Sequence, residues 1–420
     1  MSRPIGTLLS GSVIGQIAAL AAYPVVTRLF TPDDFGLYNI FYSYIDVLMI
    51  VSTGKYEQAF PVASSDAEAR ALLRFVRWLN VVVSLLILMA VALLLASDAL
   101  PGETRQLGSV ALLVAPLVYF GGTVRIHSFL FNRYESYKTI ASSTAIYGLA
   151  TSSLKVVFGL FLRVVPWLSR WGLPLATVLG QAASDLPYRF RLRRLPMATC
   201  DRPTARAATA AACKHRRFPL YVMPKDLLNS FAFNLPFIWL AIYFDSGLVG
   251  LFALALMVCF RPVNIAAADI ERVLYASVVQ LKNSHQRIGP TIWRYMSRII
   301  LVAVPAFCLL FFFSEPIMTF VFGSKWQGCA PFVRWLAPWC LLSFVSTTLS
   351  FIPNVFSTQR GEFLFHVLLA VLWVGAMLWG ILRHDFMWAI ILYSLSGIVV
   401  AVLIFLWYVS QIRRYDRSVQ

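Results

Sequence analysis

The chain is poor in charge. Only 13% of its 420 residues are Asp, Glu, Lys or Arg, and 19 acidic residues face 36 basic ones. Soluble globular domains carry roughly 25% charged residues, so this chain cannot clothe a water-facing surface of its own size. Soluble enzymes, disordered chains and disulfide scaffolds are excluded. No hydrophilic segment is long enough for a catalytic domain. The six cysteines (Cys200, Cys213, Cys259, Cys308, Cys329 and Cys340) form no CxxC pair and read as small buried hydrophobes. The five histidines show no HxxxH or HExxH spacing, so no metal centre and no cofactor are expected.

What the chain has is apolar length. Hydrophobic residues make up 59% and aromatics 15%, with a mean hydropathy of +0.72. The runs are continuous (Val81 to Ala96, Leu248 to Cys259) rather than alternating, which predicts membrane-spanning helices and not barrel strands. About 20 apolar residues make one span. Twelve spans are expected, at 7–28, 35–53, 79–97, 108–126, 139–162, 172–188, 227–244, 247–267, 296–314, 333–352, 363–382 and 386–408. The first keeps its place as a span although Arg3 and the Ala-rich 18–22 stretch superficially resemble a signal peptide.

The net charge of +17 is placed unevenly. Sorted by the gaps between spans, 28 Lys and Arg fall on one side and 7 on the other, with Lys155 inside a span. That asymmetry assigns the first side, and both termini, to the cytoplasm. The basic surface faces anionic lipid headgroups; no aromatic-interleaved basic motif points to nucleic acid. Trp167, Trp171, Trp326, Trp335, Trp339 and Trp388 fall where a periplasmic aromatic belt is expected.

A shift of 214 residues places Gly36-Leu37-Tyr38 on Gly250-Leu251-Phe252 and Glu57 on Glu271. Six spans per half would make the halves parallel repeats. The expected organisation is an N-terminal six-helix bundle (1–188), a basic cytoplasmic linker (189–226) and a C-terminal six-helix bundle (227–420). Between the first two spans, Thr31-Pro32-Asp33-Asp34 reads as a helix start: an N-cap, a proline at the first position, and acids at the positive helix end.

A charge near the bilayer centre costs roughly 2.5–3.5 kcal/mol on insertion scales, so such residues normally face protein or a hydrated cavity. The candidates are Arg28, Asp46, Lys55, Arg125, Lys155, Asp185, Arg261 and Glu271, with Glu57 at the inner end of the second span. Cations outnumber acids, and a cavity lined by them would attract a phosphate or diphosphate. Against this, Lys155 could pair with Asp46 or Asp185. Lys55 and Arg125 could snorkel to headgroups. Lys55 with Glu57, and Arg272 with Glu271, could be surface pairs.

Thr27-Arg28-Leu29-Phe30-Thr31-Pro32, Phe35-Gly36-Leu37-Tyr38 and Tyr56-Glu57-Gln58-Ala59 resemble the opening of the polysaccharide biosynthesis and export family. That family includes the Wzx-type O-antigen flippases and belongs to the multidrug/oligosaccharidyl-lipid/polysaccharide exporter superfamily. Phe218-Pro219-Leu220, Leu228-Asn229-Ser230, Leu235-Pro236, Val249-Gly250-Leu251-Phe252 and Phe322-Gly323-Ser324-Lys325-Trp326 continue the likeness. The resemblance implies two six-helix bundles around a central cavity. It also implies export of an undecaprenyl-diphosphate-linked oligosaccharide across the bacterial inner membrane, with a polysaccharide polymerase downstream. Arg28, Lys55 and Arg261 stand in the spans where related flippases keep cavity-facing cations. Two other functions make different demands on the sequence. A cation-coupled multidrug antiporter would favour acids in the lumen; the first span has none, and Asp46 and Asp185 are the acids that keep this reading open. An integral-membrane polymerase would carry a large loop, which is absent.

Overall fold

The computed structural model describes the chain except Met1 and residues 100–101, 162–164, 166–168, 357 and 420. Side chains of residues 2–14, 17 and 102–104, and some within 229–241 and 268–276, are likewise outside the described residues. Two compact units are formed, Met1–Gly247 and Leu248–Gln420.

In the first unit, α1 (Ser2–Leu29), α2 (Pro32–Thr53), α3 (Asp66–Ala96), α4 (Val114–Arg133), α5 (Tyr137–Phe161) and α6 (Ser169–Ser184) are joined by short connections. Short α7 (Leu186–Leu192) and α8 (Ala205–Lys214) follow, then α9 (Met223–Tyr243). The sequence places α9 in the second half of the chain, yet it lies in the first unit, because it packs along α2. Long α10 (Ser246–Asn283) crosses into the second unit and runs helically through Pro262. That unit continues with α11 (Gly289–Phe312), α12 (Ser314–Phe322), α13 (Ala330–Thr347), α14 (Ile352–Phe356), α15 (Gln359–Arg383) and α16 (Phe386–Ser418). No strand occurs among the described residues.

Nine segments among the described residues are long and apolar enough to cross a membrane. They coincide with nine of the twelve expected spans, and the other three fall on helical α1, α6 and α9. The apolar surface is inverted relative to a soluble protein. Leu85, Met89 and Leu93 of α3, and Leu301 and Val302 of α11, are exposed. Lipid is a good solvent for such side chains, so burying them gains little.

Close packing instead depends on small residues. A Cβ on Gly148 of α5 would come within 2.4 Å of the Gly15 backbone in α1. The two helices therefore touch backbone to backbone, as small-residue interfaces allow in membranes. Gly148→Leu should destabilise the first unit by about 1–3 kcal/mol or more through overpacking. The check is the melting of detergent-extracted protein followed by size-exclusion chromatography; an unchanged melting temperature contradicts it.

The helix start at Thr31 forms as its residue types dictate. Thr31 Oγ1 accepts from the Asp34 backbone N–H at 3.2 Å, and the Asp34 carboxylate accepts from the Thr31 N–H at 2.9 Å. This reciprocal capping box satisfies two otherwise orphaned donors. The aromatic belt is corrected in part. Trp326 and Trp339 are buried, and Trp339 packs on Phe260, Trp373 and Tyr393 with centroids 4.5–5.8 Å apart. Trp335 and Trp388 are exposed, as a belt requires, while Trp167 lies outside the described residues. All six cysteines are free thiols.

Candidate functional site

Helix α2 and the segment formed by α9 and the start of α10 run antiparallel inside the first unit, joined by polar contacts at three levels. Ser246 Oγ donates to Asp33 Oδ1 at 3.2 Å, Asn234 Nδ2 to Asp46 Oδ2 at 3.3 Å, and Lys55 Nζ pairs with Asp226 Oδ2 at 2.8 Å. From Asp33 to Asp46 is 13 residues and from Ser246 to Asn234 is 12, so the register is held along the whole helix. At about 1.5 Å per residue, α2 spans about 33 Å, the thickness of a bilayer core.

The middle of α2 carries a second polar element. Tyr38, Tyr42 and Asp46 are spaced i, i+4, i+8 and therefore share one helix face. The Lys155 ammonium of α5 lies 4.3 Å from the Tyr38 ring centroid and donates to the Tyr38 hydroxyl at 3.1 Å. An aromatic face stabilises a desolvated cation. The Tyr38 hydroxyl lies 3.0 Å from Thr177 Oγ1, and Thr177 itself donates to the Leu173 carbonyl at 2.9 Å. Tyr38 is then the donor to Thr177, because a hydroxyl has one proton. The result is a directed chain, Lys155 to Tyr38 to Thr177 to the α6 backbone.

At the C-terminal end of α2, Gly54 and Lys55 both adopt positive φ (57° and 60°). These two left-handed residues turn the chain from α2 into the short 3₁₀ segment Tyr56–Val62. Gly54 meets this at no steric cost, whereas Lys55 is strained there. Lys55 is buried against Asp226, in the first turn of α9. Burial raises the Asp226 carboxyl, but the bonded Lys55 ammonium and nearby Lys225 more than offset this and hold it below the usual carboxylate range. Glu57, two residues on, is fully buried, and neither of its carboxylate oxygens has a hydrogen-bond partner among the described residues. Nη1 of Arg125 is likewise buried without one.

Asp185 is fully buried in a denser network. His127 Nδ1 lies 2.6 Å from Asp185 Oδ1, and Arg77 Nη2 lies 2.6 Å from His127 Nε2. A guanidinium can only donate, so Nε2 accepts and Nδ1 carries the proton to Asp185: the imidazole is neutral and its tautomer is dictated. Arg189 pairs with the other Asp185 oxygen. Helices α3, α4 and the start of α7 are thereby tied to one carboxylate.

The remaining predicted residues are spread out. Arg28 is exposed in the last turn of α1, where a cation complements the helix dipole. In the second unit, Arg261 is exposed on α10, ten residues from Glu271, which accepts from Ser350 Oγ at 2.8 Å. The Arg272 side chain lies outside the described residues. Lys155 bonds Tyr38, while Asp46 and Asp185 engage Asn234 and His127. Sequence reasoning passed over His127, Arg77, Tyr38, Asn234 and Asp226. Two signals were present: Asp226 is the only acid in the first turn of α9, just before the seventh expected span, and Tyr38 stands in the Phe35–Tyr38 motif.

The sequence model of the family described as "Polysaccharide biosynthesis protein" matches residues 25–331. The chain belongs to this family. The lipopolysaccharide biosynthesis protein WzxC of Escherichia coli (strain K12) is 22% identical over 375 residues, covering 86% of this chain and 71% of that protein. The succinoglycan biosynthesis transport protein ExoT of Rhizobium meliloti (strain 1021) is 22% identical over 365 residues, covering 85% and 69%. Among solved structures, the lipid II flippase MurJ in an inward closed conformation aligns with a TM-score of 0.71 at 12% identity, over 97% of this chain and 89% of that one. An inward-facing multidrug MATE transporter of the MOP superfamily aligns at 0.67 and 14% identity, over 98% and 99%. This polysaccharide biosynthesis family member is thus an all-helical, multi-pass membrane protein with the MATE/MurJ fold, as its opening motifs implied.

Proposed function

We propose that the protein is a flippase that moves an undecaprenyl-diphosphate-linked oligosaccharide from the cytoplasmic to the periplasmic leaflet of the bacterial inner membrane by alternating access. The observation that carries this reading is the row of polar and charged side chains at membrane depth: Tyr38, Tyr42, Asp46, Lys155 and Asn234. Hydrocarbon tolerates such a row only beside protein or a hydrated path. A hydrated glycan needs a path of that kind, and its diphosphate needs cations. The names of the relatives WzxC and ExoT, both polysaccharide biosynthesis proteins, support the substrate class.

In this reading two six-helix halves (1–188 and 227–420), joined by 189–226 and with both termini cytoplasmic, rock about the substrate. Arg28, Arg261, Lys155 and Lys55 bind the diphosphate through charge-assisted hydrogen bonds. Asp46, Asp185, Glu57, Glu271 and Arg125 position them or couple transport to an ion. The prenyl tail stays in lipid, no covalent step is needed, and a polymerase receives the glycan outside.

Arg28→Ala and Arg261→Ala should each lower surface glycan at least about tenfold, the loss of one charge-assisted contact, with the protein still in the membrane. Wild-type glycan in both variants would remove the site. Single repeat units on the surface, rather than none, would point to polymerisation instead of export.

A further inference from the structure

Beyond Asp185 and its partner Arg189, the arm between α6 and α9 has no part in the proposed site, and its two faces differ. Between residues 189 and 225 stand ten Lys and Arg and one acid, Asp201. The inner face is pinned to the first unit. Arg70 Nη1 donates to the carbonyls of Met197 and Ala198 at 3.2 and 3.1 Å, and Arg74 to that of Pro203. Glu68 receives Lys214 and His215, each at 2.8 Å, and Arg191 donates to Thr139 Oγ1 at 2.7 Å. Ala208, Ala211 and Ala212 of α8 are buried, and α8 packs on α3. Tyr188, Leu192 and Phe218 share one hydrophobic cluster, which brings the two ends of the arm together.

The outer face is apolar and basic at those two ends alone. Leu186 and Phe190, four apart on α7, are 47% and 76% exposed, opposite buried Tyr188. Leu220 and Tyr221, at the other end, are 59% and 72% exposed. Arg193, Arg194, Arg216 and Arg217 flank them, exposed and with no ion-pair partner among the described residues. Helix α8, between the ends, exposes no large apolar side chain. Bare aromatic and aliphatic side chains beside unpaired arginines are costly in cytosol. They suit a plane where hydrocarbon meets anionic phosphate.

We propose that the two ends of this arm, residues 186–194 and 216–221, form a docking surface for the anionic phospholipid headgroups of the inner leaflet. The apolar side chains enter the interface and the four arginines meet phosphates. Charge complementarity names the occupant: these four exposed arginines, and no acid within 186–194 and 216–221, where the chain leaves and re-enters the membrane. The clamps to α3 mean that the platform needs no folding on contact.

The full-length protein in nanodiscs of phosphatidylcholine, with and without phosphatidylglycerol, provides the test, read by hydrogen–deuterium exchange. Amides of 186–194 and 216–221 should exchange about tenfold more slowly with phosphatidylglycerol, while α8 stays unchanged. High salt should abolish the difference in the wild type, because screening shortens the reach of these charges. The combined variant Arg193→Gln, Arg194→Gln, Arg216→Gln and Arg217→Gln should also lose it. Equal exchange in the two lipids, or slowing that survives high salt, would overturn the proposal; the salt arm stands even if the variant fails to fold. No transport is measured, so failure here and failure of the flippase reading are distinguishable.

Discussion

Asp185→Ala should destabilise the first unit by about 3–5 kcal/mol. The carboxylate is fully buried and engages His127 and Arg189, and through His127 it also orients Arg77. Removing one member of a buried charged network costs about 3–5 kcal/mol, because the partners keep their desolvation penalty and lose the compensating charge. Whole domains are stable by only about 5–15 kcal/mol. Asp185→Asn keeps the shape and an acceptor oxygen for the His127 N–H, so its loss should be smaller. Thermal unfolding in detergent ranks the two; an alanine variant as stable as wild type would show that the network contributes nothing. The asparagine variant also addresses coupling. If it folds but no longer exports glycan, the Asp185 charge is needed for transport and not only for stability.

Lys55→Asp and Asp226→Lys should each lower stability by about 1–3 kcal/mol, and the double swap should regain most of it. The pair is 2.8 Å apart with side chains only 10% and 23% exposed, so each reversal sets like charges together in a partly dry site. The pair joins the C-terminal end of α2 to the first turn of α9, at the left-handed turn that Lys55 occupies. If Lys55 binds the diphosphate as proposed, export should stay below about a tenth of wild type in the swapped protein, which presents a carboxylate at position 55. Full export by the swapped protein would reduce Lys55 to a pairing role. The pH dependence has a definite sign. Asp226 is held below its unfolded value, so its contribution is fully present above the unfolded carboxylate pKa and is lost as pH falls through the folded one. The stability gap between wild type and Asp226→Asn should therefore be constant near neutrality and close on acidification below about pH 4.

Much of this architecture is legible without coordinates, for reasons particular residues illustrate. Apolar runs such as Val81 to Ala96 read directly as spans, because hydrocarbon forces every backbone group into an internal hydrogen bond and leaves the helix as the answer. The capping box at Thr31 and Asp34 is equally local, since its partners are three residues apart. So is the charge bias, which needs only counting. The candidate cations were found by the same logic: a charge in an apolar run is costly wherever it points.

Partners are another matter, because pairing depends on which helices become neighbours. Lys155 meets a tyrosine 117 positions away, and Lys55 meets Asp226, 171 positions on (226 − 55). His127 had no motif around it; it became a linchpin when α3 and α7 brought Arg77 and Asp185 to its two nitrogens. Trp326 and Trp339 had the composition of a belt but went into the core. Composition and short-range pattern set the solvent, the helices and their caps, since those energies arise within a few residues. Long-range contacts set which charge is satisfied, which is orphaned like Glu57, and which is left to the lipid, since a side chain's cost depends on the neighbour that folding brings to it.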